Sequence, residues 1–516
     1  MVNFSVLRTQ NELLLWRKQQ DAQIGFVPTM GSLHHGHTQL IKTAKNTALN
    51  ETPVVLVSIF VNPLQFGPQE DFASYPRNLE KDLEVASQAG ANAIWAPSLN
   101  QVFPGGPESN FKVIVPTKLQ SKLCGGIRPG HFDGVATVMM QLLRHIQPNF
   151  LVLGEKDWQQ LVILRQLIKD LGIPVKVYGV ATIRDSDGLA FSSRNQYLNQ
   201  SERKQAISLP RLLMKAAEDV KEGKLINLQS IRSSLEQIGL KIEYLEVVDP
   251  IQLQPTKEKQ NLSLLAAAVN CGKTRLIDHT FLMTRKPIVA IDGPAGAGKS
   301  TVTRALAERL GLLYLDTGSM YRAVAWLIQN KGINPQDNLE VMKCLEHLKL
   351  QLEPSGKSPK VIINGNDVTS AIRSPIVTSI VSVVAAQSSV REALTAQQKE
   401  IGKLGGIVAE GRDIGTAVFP DAELKIFLTA SSIERARRRV IDLINQGFQS
   451  PNLDDLKNEI ETRDEMDRSR QISPLVKAKD AKELITDGMT IEEVINSIEE
   501  LFRLKVPEEV WPSASK

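Results

Sequence analysis

Three cysteines in 516 residues (Cys124, Cys271 and Cys344) are too few and too scattered for a disulfide framework or a zinc site. No apolar run approaches the roughly 18 residues that a membrane-spanning helix needs. The longest clean one, Val54–Val61, has the length of a buried strand. Arg8, Glu12, Arg17 and Lys18 interrupt the start of the chain where a secretory leader requires an apolar core, so no leader is expected. Neither charge dominates: 61 Lys+Arg stand against 57 Asp+Glu, which excludes the basic field of a general nucleic-acid binder. The 33 glycines follow no three-residue period, which excludes a collagen-like chain. What is present is ordinary for globular protein, with 42% hydrophobic and 23% charged residues, at a length that suits about two to four domains. The expectation is a cytoplasmic, multidomain protein with no nucleic-acid or membrane partner.

Strand-like and helix-like stretches alternate through the chain. A helix is expected near Glu12–Gln20, a strand at Ile24–Val27, a turn at Pro28–Gly31 and a helix at His35–Leu49. Strands at Val54–Val61, Ala93–Ala96 and Phe150–Leu153 alternate with helices at Leu79–Ala89 and Val135–His145, the signature of parallel βαβ units. Residues 201–236 read as helices, then Ile242–Val248 and Leu262–Val269 as strands of a smaller subdomain. A second alternation opens at Pro287–Asp292. Residues 278–286 between the two patterns hold no Gly/Ser- or Pro-rich run, so a close join is expected and not a long tether. The domains expected are 1–280 (a nucleotide-binding region, 1–200, and a smaller subdomain, 201–280), a linker 281–286, and 287–516.

In the second half, Gly293-Pro294-Ala295-Gly296-Ala297-Gly298-Lys299-Ser300-Thr301 fits G-x-x-x-x-G-K-[ST], after an apolar strand and before a helical pattern. Glycines let successive N–H groups curl round a phosphate, and the helix N-terminus adds partial positive charge. In such a loop Lys299 reaches the β/γ-phosphates and the Ser300 hydroxyl ligates Mg²⁺. The half has no Asn-Lys-x-Asp run, which argues against a GTPase. It carries instead Asp316-Thr317-Gly318-Ser319-Met320-Tyr321-Arg322, Val390-Arg391-Glu392, Glu410-Gly411-Arg412-Asp413, Glu434–Arg439 and Arg463–Arg470. Arginine is always charged and bidentate toward phosphate, as two phosphate chains held face to face require. These segments, in this order over about residues 286–505, resemble the bacterial cytidylate kinases. The resemblance implies that Thr317, Arg322, Asp467 and Arg470 hold the phosphate and ribose of CMP or dCMP, and that Ser382, Arg391 and Asp413 read the cytosine edge. It also implies a lid of Arg435, Arg438 and Arg439 over ATP, with Arg463 a neighbouring phosphate contact and Lys299 catalytic.

Six of the seven histidines precede Met283, and three of them fall in His34-His35-Gly36-His37. That run lies between a strand and a helix, so His34 and His37 stand at a helix N-terminus, where phosphate is favoured. An imidazole there can donate hydrogen bonds to an α-phosphate as it becomes pentacoordinate. Asn62 and Gln65 follow a strand end, Arg128-Pro129-Gly130-His131-Phe132 is a turn carrying a cation, and Gly154-Glu155-Lys156-Asp157-Trp158-Gln159-Gln160 joins a cation to a possible Mg²⁺ ligand, Asp157. Phe191-Ser192-Ser193-Arg194-Asn195 reads as a phosphate clamp. These segments resemble the pantothenate synthetases (pantoate–β-alanine ligases) of the HxGH nucleotidyltransferase superfamily, over about residues 1–280. The resemblance implies an ATP site lined by Met30, Gly31, Ser32, Leu33, His34, His35, Gly36 and His37, with His37 as proton donor and His34 as its phosphate-binding companion. Gly154, Glu155, Lys156, Asp157, Ile183, Phe191, Ser192, Ser193 and Arg194 would also contact ATP, Lys156 and Arg194 neutralising phosphate. Gln65 and Gln160 would bind pantoate, and Gln65 β-alanine as well. Phe191 replaces an expected Leu or Met.

The fold expected is therefore α/β: a Rossmann-like HxGH nucleotidyltransferase domain with a small α+β subdomain, then a P-loop nucleoside monophosphate kinase. ATP, pantoate, β-alanine and CMP are the expected substrates, Mg²⁺ the cofactor, and a homodimer the expected assembly. The residues by themselves leave other readings open: an adenylyltransferase of another acceptor, a kinase of UMP or AMP, or a P-loop module that senses ATP without transferring it.

Overall fold

The computed structural model describes residues 4–47, 52–68, 70–255, 261–353, 360–445, 451–470 and 472–513. The outermost residues of the expected domains, 1–3 and 514–516, lie outside that range. The chain divides into two compact units, Met1–Thr284 with Pro507–Pro512, and Arg285–Val506 with Ser513–Lys516. No helix among the described residues is long and apolar enough to cross a membrane.

The first unit is built on six parallel strands: β1 (Ser5–Leu7), β2 (Ile24–Thr29), β3 (Val54–Ile59), β4 (Ala93–Trp95), β5 (Phe150–Gly154) and β6 (Lys176–Val180), in the order β1-β4-β3-β2-β5-β6. Successive side chains on a strand point to opposite faces, and both faces are covered. Phe26, Leu56, Trp95 and Leu151 pack toward the helices His131–Ile146 and Trp158–Asp170. Val27, Val55, Val57, Ile94 and Val152 pack toward His35–Asn46 and Leu79–Ala89. Burying each of these large apolar side chains stabilises the unit by about 1.5–3 kcal/mol. The chain winds from β2 to β3 and β4 on one side and then crosses back to β5 and β6 on the other. The crevice at the carboxyl ends of β2 and β5 is thus the switch point where such sheets bind ligands.

Two differences from the sequence expectations have physical causes. Strand β2 continues through Pro28 to Thr29, where the sequence suggests a turn; β2 pairs with β5 only at Gly25 and Phe26, so a prolyl nitrogen is tolerated beyond them. The subdomain sheet holds three antiparallel strands, β7 (Lys241–Val248), β8 (Leu262–Cys271) and β9 (Thr274–Met283). The last covers residues expected to join the domains. Its apolar alternation is broken by Asp278-His279, polar residues that are nevertheless buried, with Asp278 held by both arms of Arg184 at 2.7 and 2.9 Å.

The second unit carries five parallel strands, β10 (Ile288–Asp292), β11 (Leu313–Asp316), β15 (Ile407–Gly411), β16 (Leu424–Thr429) and β17 (Lys482–Ile485), in the order β11-β15-β10-β16-β17. A small antiparallel sheet, β12 (Leu350–Glu353), β13 (Lys360–Ile363) and β14 (Asn366–Asp367), had no sequence signal because its strands are too short to show a period. The glycine-rich loop leaves the carboxyl end of the central strand β10 and enters the helix Lys299–Leu310.

Candidate active sites

In the first unit, the loops after β2 and β5 wall a cleft of about 320 Å³. Met30, His34, Gly36 and His37 line it from one side, Gly154, Lys156, Asp157 and Gln160 from another, and Gln65, Ile183 and Phe191–Arg194 close it. The remaining residues of the expected 30–37 run do other work. Gly31 has a left-handed φ of +82°, and a Cβ there would meet the Asp82 carboxylate at 2.9 Å. Asp82 accepts the N–H groups of Ser32 and Leu33 at 2.9 and 2.7 Å, and the Leu33 side chain joins the core. Asp82 is thus the post that shapes the loop, and sequence reasoning gave it no role. His35 is exposed, edge-on to Phe191.

The two histidines cap their own helix. His34 Nδ1 accepts the Gly36 N–H and His37 Nδ1 accepts the His34 N–H, both at 3.2 Å, with ring centroids 4.1 Å apart. With Nδ1 accepting, each neutral ring carries its proton on Nε2. Burial, reinforced by Lys156, lowers His34 to about 4. Burial, then the charges of His34 and Lys156, hold His37 well below the ordinary range. Near neutral pH the site therefore offers two uncharged Nε2–H donors at a positive helix end.

Gln65 is held from several directions. Its Nε2 donates to Met30 Sδ at 3.0 Å and its Oε1 accepts from Asn62 at 3.2 Å, while its carbonyl receives His131 Nδ1 at 2.7 Å and Arg128 at 3.2 Å. A Cβ on Gly134 would lie 2.2 Å from the Leu64 carbonyl, so only glycine lets the helix approach this turn. Gln159, adjacent to Gln160, turns to the Leu119 and Lys122 carbonyls at 3.0 and 2.9 Å. Arg194 donates from Nε and one terminal nitrogen to the two oxygens of Asp71, at 2.9 and 2.7 Å, so a phosphate binding through those two nitrogens must share or displace that carboxylate. Glu155 is buried outside the cleft lining.

In the second unit the Gly293 backbone passes so near β16 that a Cβ would stand 1.9 Å from the Leu428 carbonyl. Lys299 folds back over the loop, donating to the Gly293 and Pro294 carbonyls at 2.9 and 2.7 Å. Burial, with the Arg412 charge, pulls it down to about 7 against the pull of Glu410 and Asp292. Arg435, expected in a lid, is buried as a pin beneath the loop, bonding the Ala295 carbonyl at 3.1 Å and Asp464 at 2.6 Å. Arg438 on the same helix holds Thr486, at 3.0 Å to its hydroxyl and 2.7 Å to its carbonyl, and Arg439 is exposed. Asp464 had no sequence signal.

Opposite the loop, buried Asp467 receives Arg412 at 2.7 Å and also Arg470. Arg463 is pulled down by burial and by the Arg412 charge, with Arg322 contributing, so these guanidiniums crowd one region. Arg412, to which the sequence pattern assigns no role, belongs to this cluster. Thr317 donates to the Glu410 carbonyl at 2.7 Å, and Arg322 bonds Ser319 at 2.7 Å and Asp316 at 3.2 Å. Arg391 and Asp413 form a buried pair, with Arg391 also bonding the Ala385 carbonyl at 3.0 Å and lying 5.4 Å from the Tyr321 ring centroid. Ser382 sits half-buried on the helix Pro375–Ala386.

Among the described residues, no group of three or more His, Cys, Asp or Glu is placed to hold a metal by itself. The donor set of the loop nevertheless suits Mg²⁺ that arrives with a nucleotide and keeps its phosphates and waters: the Ser300 hydroxyl is exposed at the start of the helix, and Oε2 of the buried Glu410 has no hydrogen-bond partner among the described residues. In the first unit, exposed Asp157 is the corresponding oxygen donor at the cleft.

Comparison with known proteins divides the chain at the same place. Residues 5–281 match the pantoate-beta-alanine ligase family and residues 289–504 the cytidylate kinase family. A bifunctional pantoate ligase/cytidylate kinase of Prochlorococcus marinus (strain MIT 9313) is 62% identical over 97% of this chain and 99% of its own. One of Parasynechococcus marenigrum (strain WH8102) is 56% identical over 98% and 99%. The crystal structure of pantothenate synthetase from Thermus thermophilus covers 54% of this chain and 98% of its own, at 38% identity and a TM-score of 0.49.

Proposed function

This chain belongs to the bifunctional pantoate ligase/cytidylate kinase family, and from that premise we propose how its two sites divide the chemistry. It is a ligase and a kinase in one polypeptide, both using ATP. The observation that supports the division is the pair of unlike phosphate sites. One presents the neutral histidines His34 and His37 with Lys156; the other is a glycine loop with Lys299 facing an arginine cluster.

In the ligase, a pantoate carboxylate oxygen held near Gln65 and Gln160 attacks the α-phosphorus of ATP, the bond to pyrophosphate breaks, and pantoyl adenylate forms. The Nε2–H groups of His34 and His37 donate to the phosphoryl oxygens as their charge grows, and Lys156 neutralises phosphate. β-Alanine, as the free amine, then attacks the acyl carbon, the bond to AMP breaks and a proton leaves. Arg194 changes partner from Asp71 to phosphate when ATP enters. In the kinase, Lys299 leaves its loop carbonyls for the β/γ-phosphates, the arginine cluster holds the phosphate of CMP or dCMP, and Arg391, Asp413 and Ser382 read the cytosine. Ser300 and Asp157 would be the protein's donors to Mg²⁺ carried in with ATP, which would offset phosphate charge. The cytoplasm is the compartment we assign, and a homodimer the assembly, on the resemblance to pantothenate synthetases.

The adenylate route has a direct test. Pantoate labelled with ¹⁸O in both carboxylate oxygens is expected to place one label in AMP and leave one in pantothenate, read by mass spectrometry. Unlabelled AMP would rule out carboxylate attack on phosphorus.

A further inference from the structure

We propose that Pro507–Pro512, the segment after the kinase's last helix, is a working component of the ligase site, and that Glu509 is a positioning residue for the ATP-binding wall. The inference rests on the proposed reading that Lys156, Asp157 and Ile183 contact ATP.

The segment belongs to the compact unit formed by Met1–Thr284, although more than 200 residues of kinase separate it from that unit in the chain. It is bound there at two places. Its backbone forms a turn in which the Val510 and Trp511 N–H groups meet the Pro507 carbonyl at 3.1 and 3.0 Å. That turn aims the N–H groups of Glu508 and Glu509 at the two oxygens of the Glu155 carboxylate, 2.9 Å each. Glu155 is buried, and a carboxylate withdrawn from water is costly unless donors meet it. The Glu509 side chain reaches the other wall. It accepts from the Thr182 hydroxyl at 2.8 Å and lies 3.5 Å from His279 Nε2 and 3.7 Å from Arg184. Val510 packs on the hydrophobic core of the unit.

Both anchors adjoin the cleft without lining it at Glu508 or Glu509. Glu155 immediately precedes Lys156 and Asp157. Thr182 immediately precedes Ile183, whose carbonyl accepts the Phe191 N–H at 3.0 Å and so ties this wall to the Phe191–Arg194 clamp. A single short segment thus links the two strand-end loops between which the nucleotide would lie. Residues that orient direct contacts in this way commonly change affinity by about 10–100-fold when lost, by analogy with the partners of metal ligands. Burial works against the Glu509 charge, but His279, Thr182 and Arg184 outweigh it and hold the carboxyl at about 2. The same contact, against burial, raises His279 above its ordinary value. Glu509 is therefore ionised throughout the physiological range.

The test uses the full chain, the variants Glu509→Ala, Glu509→Gln and Lys156→Ala, and a chain ending at Val506. Ligase KM values for ATP, pantoate and β-alanine, ligase kcat and CMP phosphorylation are measured on each preparation. For Glu509→Ala and the shortened chain, the KM for ATP is expected to rise about tenfold or more, with kcat within threefold and CMP phosphorylation unchanged. Glu509→Gln should fall between them and the parent, and a synthetic peptide of residues 507–512 should lower the KM of the shortened chain. If Lys156→Ala raises the KM for ATP while the Glu509 variants and the shortened chain do not, the positioning role is refuted and the site reading survives. If none of them moves it, both fail. A uniform loss of kcat and of all three substrate affinities, with no rescue by peptide, would make the segment a structural prop only and also refute the proposal.

Discussion

Replacing Lys299 with alanine is expected to cut CMP phosphorylation by roughly a thousandfold while pantothenate formation stays within twofold of the parent chain. The size follows from what the side chain does. Lys299 is the buried cation of the loop, already dehydrated against the Gly293 and Pro294 carbonyls. Its transfer to phosphate oxygens strengthens as charge spreads over the moving phosphoryl group, and a donor preorganised for such charge is worth about 4 kcal/mol. Alanine also vacates space at the loop, so Lys299→Met, which keeps most of the volume and no charge, separates the two effects. Both variants should lose the kinase alike. Persistence of CMP phosphorylation within tenfold of the parent in either variant would remove Lys299 from the proposed role, and loss of pantothenate formation would show that the two activities are not separate.

His37→Ala is expected to lower pantothenate formation by about 10²–10³-fold through kcat, with CMP phosphorylation unchanged. His37 does two things that alanine cannot: its Nδ1 accepts the His34 N–H, which squares His34 over the helix end, and its Nε2–H faces the cleft. The pH dependence has a definite sign. Burial, with Lys156 nearby, lowers His34 to about 4, so between pH 4 and the ordinary value of 6.5 an unfolded chain takes a proton that the folded one refuses. The nucleotide-free ligase unit should therefore lose stability as pH falls through that window and gain none from it above. Carbon-detected NMR of the free protein should show His34 and His37 neutral from pH 8 down to 5. A midpoint near 6.5 for either ring would contradict the buried, mutually bonded arrangement.

Much of the two candidate sites could be read from the chain because many of the residues proposed to line them are consecutive. The run from Gly293 to Thr301 and the run from Met30 to His37 each place several of the groups proposed to meet phosphate on one loop, so local spacing suggests the chemistry. The parallel strands were visible for a similar reason, each being a short apolar run between helical patterns. What stayed hidden depends on partners distant in sequence. Asp82 shapes the histidine loop from the Leu79–Ala89 helix, and Asp71 grips Arg194 from 123 residues away. Asp464 and the Ala295 carbonyl hold Arg435 against the loop, where the family resemblance implies a lid residue. Nothing local marks these aspartates off from ordinary charged surface residues. The same holds for Pro507–Pro512, whose place in the first unit comes from two hydrogen bonds to Glu155 and one carboxylate, across some 350 residues. The family resemblance implies Glu155 at the nucleotide beside Lys156 and Asp157. The turn after β5 sends its side chain inward and theirs toward the cleft.

One chain is expected to run two ATP-dependent reactions that break different bonds of the triphosphate. Phosphorus NMR of the purified chain with ATP, Mg²⁺, pantoate, β-alanine and CMP, with one acceptor omitted at a time, tests it most directly. AMP and pyrophosphate should appear only when pantoate is present, and CDP with ADP only when CMP is present, each unaffected by omission of the other acceptor. AMP and pyrophosphate formed without pantoate, or ADP formed as readily with UMP as with CMP, would contradict it.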